Sequence, residues 1–160
     1  MIYIMLFVIC TGLASHVCAQ HTDGHQRMRF YSQSQIAHDS IRYQSYEIQQ
    51  GGLLVFELIS DNAGEPGNHS IAETVIAFET SGGEEEFTLT NEDLQKHQAI
   101  YMQRCRCQDR GIQPIQSGEI YGLLLPNGNW RIEGFIKAIG TRTGKSYNLP
   151  INGEFKAAVG

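Results

Sequence analysis

The sequence predicts an all-β domain, most simply an antiparallel two-sheet β-sandwich, with a barrel as the second choice and one short helix near 91–98. Three observations point there. Apolar and polar residues alternate over several stretches, which places successive side chains on opposite faces of a strand. Turn residues punctuate these stretches at a spacing of roughly 8 to 12 residues, as in sandwiches and barrels. Glycine supplies 17 of the 160 residues, as a turn-rich β domain requires.

From the N-terminus, residues 2–14 (IYIMLFVICTGLA) form an apolar or small-residue run. It is shorter than the about 20 residues that span a bilayer as a helix. Val17 and Ala19 then stand at −3 and −1 of a signal-peptidase cut. Residues 1–19 are therefore expected to be a signal peptide cleaved between Ala19 and Gln20, giving a secreted or periplasmic protein. No Lys or Arg precedes the apolar run, which departs from the usual pattern. Residues 20–26 (QHTDGHQ) carry nothing to bury and are expected to form a flexible tail. Residues 27–160 are expected to be a single β domain.

Within that domain, strands are predicted at 27–32, 41–48 and 53–60, the last pair joined through Gln49–Gln50–Gly51–Gly52. Two more follow at 71–79 and 85–90, joined through 80–84. The segments 53–59 and 74–78 are apolar on both faces, the pattern of central strands covered on both sides. Thr90 and Asp93 have the spacing of a capping box and open the predicted helix. The last three strands, 118–125, 129–139 and 146–157, form a meander through Pro126–Asn127–Gly128–Asn129, where Asn-Gly is a strong hairpin signal, and through the polar turn GTRTGKS. The expected core is Trp130, Ile132, Tyr147, Leu149, Ile151, Phe155, Leu54, Phe56, Ile76 and Phe78.

The formal net charge of −5 resides entirely after residue 19. A mildly acidic domain without a long Lys/Arg cluster matches neither nucleic acid nor anionic membrane surfaces. No membrane insertion is expected after cleavage. The expected partner is an extracellular or periplasmic ligand or protein, and no cofactor is implied.

Signal removal leaves Cys105 and Cys107 as the cysteines of the mature chain, the disulfide or redox candidates. On a strand their Cα atoms would sit about 6.5 Å apart, at the upper edge of disulfide geometry; a turn would bring them closer. Neighbouring Arg104, Arg106 and Arg110 favour thiolate and hence exchange chemistry. A metal site would add His97 and a further ligand such as Asp109, though nothing in the spacing demands one. His21 and His25 would offer copper ligands if cleavage exposed His21 as the first residue. Asp61–Asn68 gathers oxygen donors that suit calcium, but those residue types also build ordinary turns. Asn68 heads a glycosylation sequon.

Gly140–Ser146 resembles a phosphate loop, yet has three residues between its glycines where that motif needs four, and a strand follows it. The sequence contains neither G-x-S-x-G nor H-E-x-x-H. No catalytic residue is assigned, and Glu84–Glu85–Glu86 reads as a solvated hairpin tip. Tyr43, Tyr46, Tyr101 and Tyr121 lie in strand patterns, and those left on an outer face would bind sugars or peptides. The reading is an exported, non-enzymatic binding or interaction domain for a carbohydrate, peptide or protein surface. The alternative is a small exported redox or metal-binding protein centred on Cys105, Cys107 and His97.

Overall fold

The structure, a computed structural model, describes residues 25–38, 45–62 and 72–158. The expected signal segment and cleavage point, His21, Tyr43, the glycosylation sequon and most of the oxygen-rich loop after Asp61 lie outside the described residues. No helix among the described residues is long and apolar enough to cross a membrane.

Alternating segments form strands where each face finds something to cover it. The described chain runs β1 (Gln26–His38), β2 (Tyr46–Gln50), β3 (Leu53–Asn62), β4 (Ala72–Ser81), β5 (Glu86–Thr90), α1 (Asn91–Lys96), β6 (Ile100–Arg104), β7 (Gly111–Gln113), β8 (Ile115–Leu124), β9 (Trp130–Ile139) and β10 (Ser146–Ala157). The fold is all-β with one short helix. Asp93 opens that helix as the sequence predicts, its carboxylate accepting from the Thr90 N–H at 3.3 Å. The helix ends at Lys96, two residues short of the predicted span.

Hydrogen bonding links the strands in the order β5-β8-β9-β10-β1-β3-β4-β6-β7, with β2 beside β1. The path has two ends among the described residues, so it is not closed into a barrel. A short parallel pairing of β1 with β10, Arg29 opposite Lys156 and Phe30 opposite Ala157, joins what would otherwise be two sheets. The predicted meander is β8-β9-β10. Gln26, placed in the tail on sequence grounds, is the first residue of β1 and pairs with Ser60.

The sheet bends sharply. β3 and β9 are three strand spacings apart along the path, about 14 Å in a flat sheet. Yet the rings of Phe56 and Trp130 meet edge-on with centroids 5.5 Å apart. β4 and β5 are six spacings apart, and Phe78 still reaches Phe87 at 6.1 Å. The main core lies in this bend. It includes Phe56, Ile76, Phe78, Trp130, Ile132, Ile151 and Phe155, all buried, with Leu54, Tyr147 and Leu149 packed partly buried against them.

A second apolar cluster covers the opposite face of β3, β4 and β6. It contains Val55, Val75, Ala77, Ile100 and Met102, with Ile36 from β1 and Tyr46 from β2. β1 serves both faces because it turns midway, where Gln33 takes a positive φ of 50° and the register with β3 shifts between Tyr31 and Ser34. Beyond that turn Ser34 still pairs with Leu53 of β3, and from Gln35 to His38 β1 pairs with β2. Both faces of β3 and β4 are therefore buried, as their two-sided apolar sequence predicts.

Two expected neighbours are not paired. The 41–48 strand, described from Tyr46, pairs with β1 rather than with β3. β5 pairs with β8, not with β4, because Phe87 finds a partner without a side chain there. Gly122 stands opposite Phe87, and a Cβ on it would meet that ring at 2.2 Å. Sequence reading gave two strands no bounds, although it placed Tyr101 in a strand pattern. β6 is apolar on both faces at 100–102, so its period is invisible, and β7 is only three residues long.

Candidate functional site

A cleft of about 320 Å³ opens at one end of the bend, where β1, β3, β4, β6 and β10 approach one another. Leu58, Ile76 and Tyr101 line its floor, and Tyr147, Leu149 and Pro150 its β10 side. Gln26, Ser60, Thr74 and Gln103 bring neutral polar groups to it. Strand alternation explains much of this lining: Leu58, Ile76 and Tyr101 face the main core, and Ser60, Thr74 and Gln103, two residues away along the same strands, continue that face into the cleft.

The two tyrosines lie side by side, ring centroids 5.6 Å apart. Gln103 Nε2 donates to the Tyr101 hydroxyl at 2.6 Å. The Lys145 ammonium sits 5.4 Å above the Tyr147 ring, a cation–π arrangement. Burial pushes both phenol pKa values up, and for Tyr147 the hydrogen bond to Asp109 adds to the effect. Both therefore stay neutral hydroxyls at physiological pH.

Glu73, also at the cleft, is held by two guanidinium groups, Arg27 at 2.6 Å and Arg104 at 2.7 Å. This carboxylate is a strut between β1, β4 and β6.

Behind Tyr147, the turn that resembled a phosphate loop does cradle an anion, and the anion is the protein's own Asp109. Its carboxylate accepts from the amides of Arg142 at 3.0 Å and Thr143 at 3.1 Å, from the Thr143 hydroxyl, and from the Tyr147 hydroxyl at 2.8 Å. The Thr143 hydroxyl contributes most to holding its pKa down to about 2, followed by the Arg142 amide and Tyr147, against the opposing effect of burial. Such a group stays ionised at neutral pH and is poorly suited to proton transfer. Gln113 completes the anchor, accepting from the Thr141 amide at 2.7 Å and donating to the Asp109 carbonyl at 2.7 Å. Gly140 is required here, since a Cβ would fall 2.1 Å from Asp109 Oδ2.

Cys105 and Cys107 lie in the turn between β6 and β7, not on a strand, with Cα atoms 5.2 Å apart and their sulfurs joined. Cys107 is exposed and Cys105 half-buried. Oε1 of Gln103 lies 3.3 Å from the Cys107 sulfur and 3.7 Å from that of Cys105. His97 caps α1, and its backbone carbonyl accepts from the Glu79 amide at 2.8 Å. Among the described residues no group of three or more His, Cys, Asp or Glu is placed to hold a metal ion. His97 and Asp109 are thus not gathered with the cysteines into such a group.

Of the candidate aromatic residues, Tyr46 and Tyr101 are buried and Tyr121 is exposed. Tyr121 shares the outer face of β8 and β9 with Phe135, which is 49% exposed. Sequence reading missed Gln103, Asp109 as an anchor, and Gln113. The partners of Asp109 and Gln113 lie up to 38 positions away in the chain, so no local spacing marks them, and Gln103 gains its place only through β6, which sequence reading did not bound. Compared with protein families, with curated proteins and with solved structures, the chain matches none.

Proposed function

We propose that this chain is an exported, non-catalytic binding domain whose bent sheet works as the two facing layers of a β-sandwich and whose ligand enters the Tyr101–Tyr147 cleft. The ligand class that fits is a neutral polar molecule with one apolar face, most directly a sugar unit. The observation carrying this reading is the lining of the cleft. An aromatic and aliphatic floor lies beside neutral amides and hydroxyls, while the nearby carboxylates, Glu73 and Asp109, are already engaged by the protein itself. Apolar contact with a few placed polar groups is how small-ligand sites obtain both affinity and orientation. The signal segment adds export, so the ligand is extracellular or periplasmic.

The test is a nuclear magnetic resonance titration of the mature chain with a panel of neutral oligosaccharides. Shifts confined to Gln26, Thr74, Gln103 and Leu149 are expected, and Gln103→Ala should weaken binding about tenfold, the loss of one to two hydrogen bonds. Shifts that map instead to Tyr121 and Phe135 would move the site to the outer face of β8 and β9, and an absence of shifts across the panel would reject the sugar assignment.

A further inference from the structure

We infer that the Cys105–Cys107 disulfide is a redox switch on the cleft. The inference takes the cleft as the binding site for its consequence, while its mechanism stands on the turn itself.

The turn touches the cleft at two points. The first is Gln103, which lines the cleft and lies within 3.7 Å of both sulfurs. A disulfide carries no hydrogen, so in the oxidised form the carbonyl oxygen of Gln103 receives no donor from the sulfurs and is available to a ligand. Two thiols at those positions can donate to it, and they would draw the carboxamide away from the cleft. The second point is Asp109, two residues beyond Cys107. It holds the 141–143 loop and, through the Tyr147 hydroxyl, one wall of the cleft. Opening the ring frees the backbone that positions this anchor.

The pair has the properties of a reversible bond. Cys-Arg-Cys closes so small a ring that the chain-entropy gain is small, so the fold does not depend on it. Cys107 is exposed to an attacking thiolate. Arg104 and Arg106 flank the sulfurs in sequence, and positive charge stabilises the departing thiolate. The reductant is a dithiol. One of its thiolates attacks the Cys107 sulfur, forms a mixed disulfide and expels Cys105 as thiolate. Its second sulfur then closes the reductant's own disulfide and expels Cys107. Two electrons and two protons pass to the protein, which gains two thiols, and the dithiol leaves as a disulfide.

The experiment compares amide hydrogen exchange in the mature chain before and after treatment with dithiothreitol, with thiol titration confirming two groups released. It needs no ligand, so its outcome is separable from that of the oligosaccharide titration. Exchange at Arg142 and Thr143 should accelerate about five- to tenfold on reduction, the loss of roughly one hydrogen bond's net contribution. Exchange at Ile132 and Ile136 in β9 should not change. The Gln103 side-chain amide resonances should shift. A C105S/C107S double variant should resemble the reduced protein; if it does not fold, reduction of the native chain still decides. Unchanged exchange at 142–143 with two thiols released would overturn the switch. So would equal acceleration throughout the sheet, or two free thiols in protein purified without reductant from an oxidising compartment.

Discussion

Asp109 is a loop anchor whose worth depends on its charge. Its pKa, held at about 2, lies below the about 3.9 of an unstructured aspartate. A depressed carboxylate pKa adds stability that is complete above about pH 4 and is lost as pH falls through about 2. The Thr143 amide resonance should therefore titrate with a midpoint near 2, and a midpoint near 4 would mean that the carboxylate is not held. In Asp109→Asn this titration should vanish, and the 141–143 amides should exchange faster at neutral pH. Gly140→Ala attacks the same anchor from the other side. Its Cβ would overlap Oδ2 of the Asp109 carboxylate, which four hydrogen bonds, two to each oxygen, prevent from moving aside. Chemical denaturation should show a loss of about 1–3 kcal/mol, as overpacked sites do.

The β1–β2 hairpin is the element whose placement says most about how the outer face of the sheet is sealed. Two carboxylates lie beneath it, Glu57 at 8% exposure and Glu79 at 3%. Both are satisfied by the hairpin. Tyr46 and Tyr31 donate their hydroxyls to Glu57, and the Ile36 amide donates to Glu79. Burial, with Glu57 alongside, pushes the Tyr46 pKa upward, so the phenol remains a donor. Buried carboxylates left short of partners are costly, which makes these bonds a latch that favours one seating of the hairpin. Tyr46→Phe should lose roughly 1–3 kcal/mol in urea unfolding, and Tyr31→Phe less, since Tyr31 is only partly buried. Equal and negligible losses would mean that apolar contact alone seats the hairpin. On β9, Trp130→Ala should cost roughly 3 to 5 kcal/mol, because Trp130 is 3% exposed and packs against Phe56 and Phe87.

At the scale of the molecule, the bend carries both stability and the proposed site. It brings Phe56, Phe78, Phe87, Trp130 and Phe155 into one aromatic group, and its open end is the cleft. Since the Cys105–Cys107 ring is small, replacing both residues by Ser should lower global stability by less than about 2 kcal/mol. A larger loss in denaturant titration would make the bond a structural staple. Export predicts a mature product that starts at Gln20, and intact mass of the secreted protein checks this directly. A mass that includes residues 1–19 would reject the cleavage, and recovery of the chain only from the cell interior would remove the extracellular setting from the proposed function.

The sequence by itself determined the class of the fold, the position of most of the long strands and most of the core, although it read β1 only as far as residue 32 of a strand that runs to His38. These depend on local alternation, on turn chemistry at Asn127–Gly128, and on two-sided apolar runs in β3 and β4, all of which are written in adjacent residues. Thr90 and Asp93 announced the helix for the same reason. Which strands pair was decided only in three dimensions. The choice of β8 over β4 as neighbour of β5 rests on a glycine 35 positions from Phe87, and β2 turns to β1 because a kink at Gln33 lets one strand serve both faces. The candidate site was equally hidden. Gln103 drew no notice, and Asp109 and Tyr147 looked like a stray ligand and a core aromatic, because a side chain's role in a cleft depends on partners that the bend of the sheet, not the order of the chain, brings together.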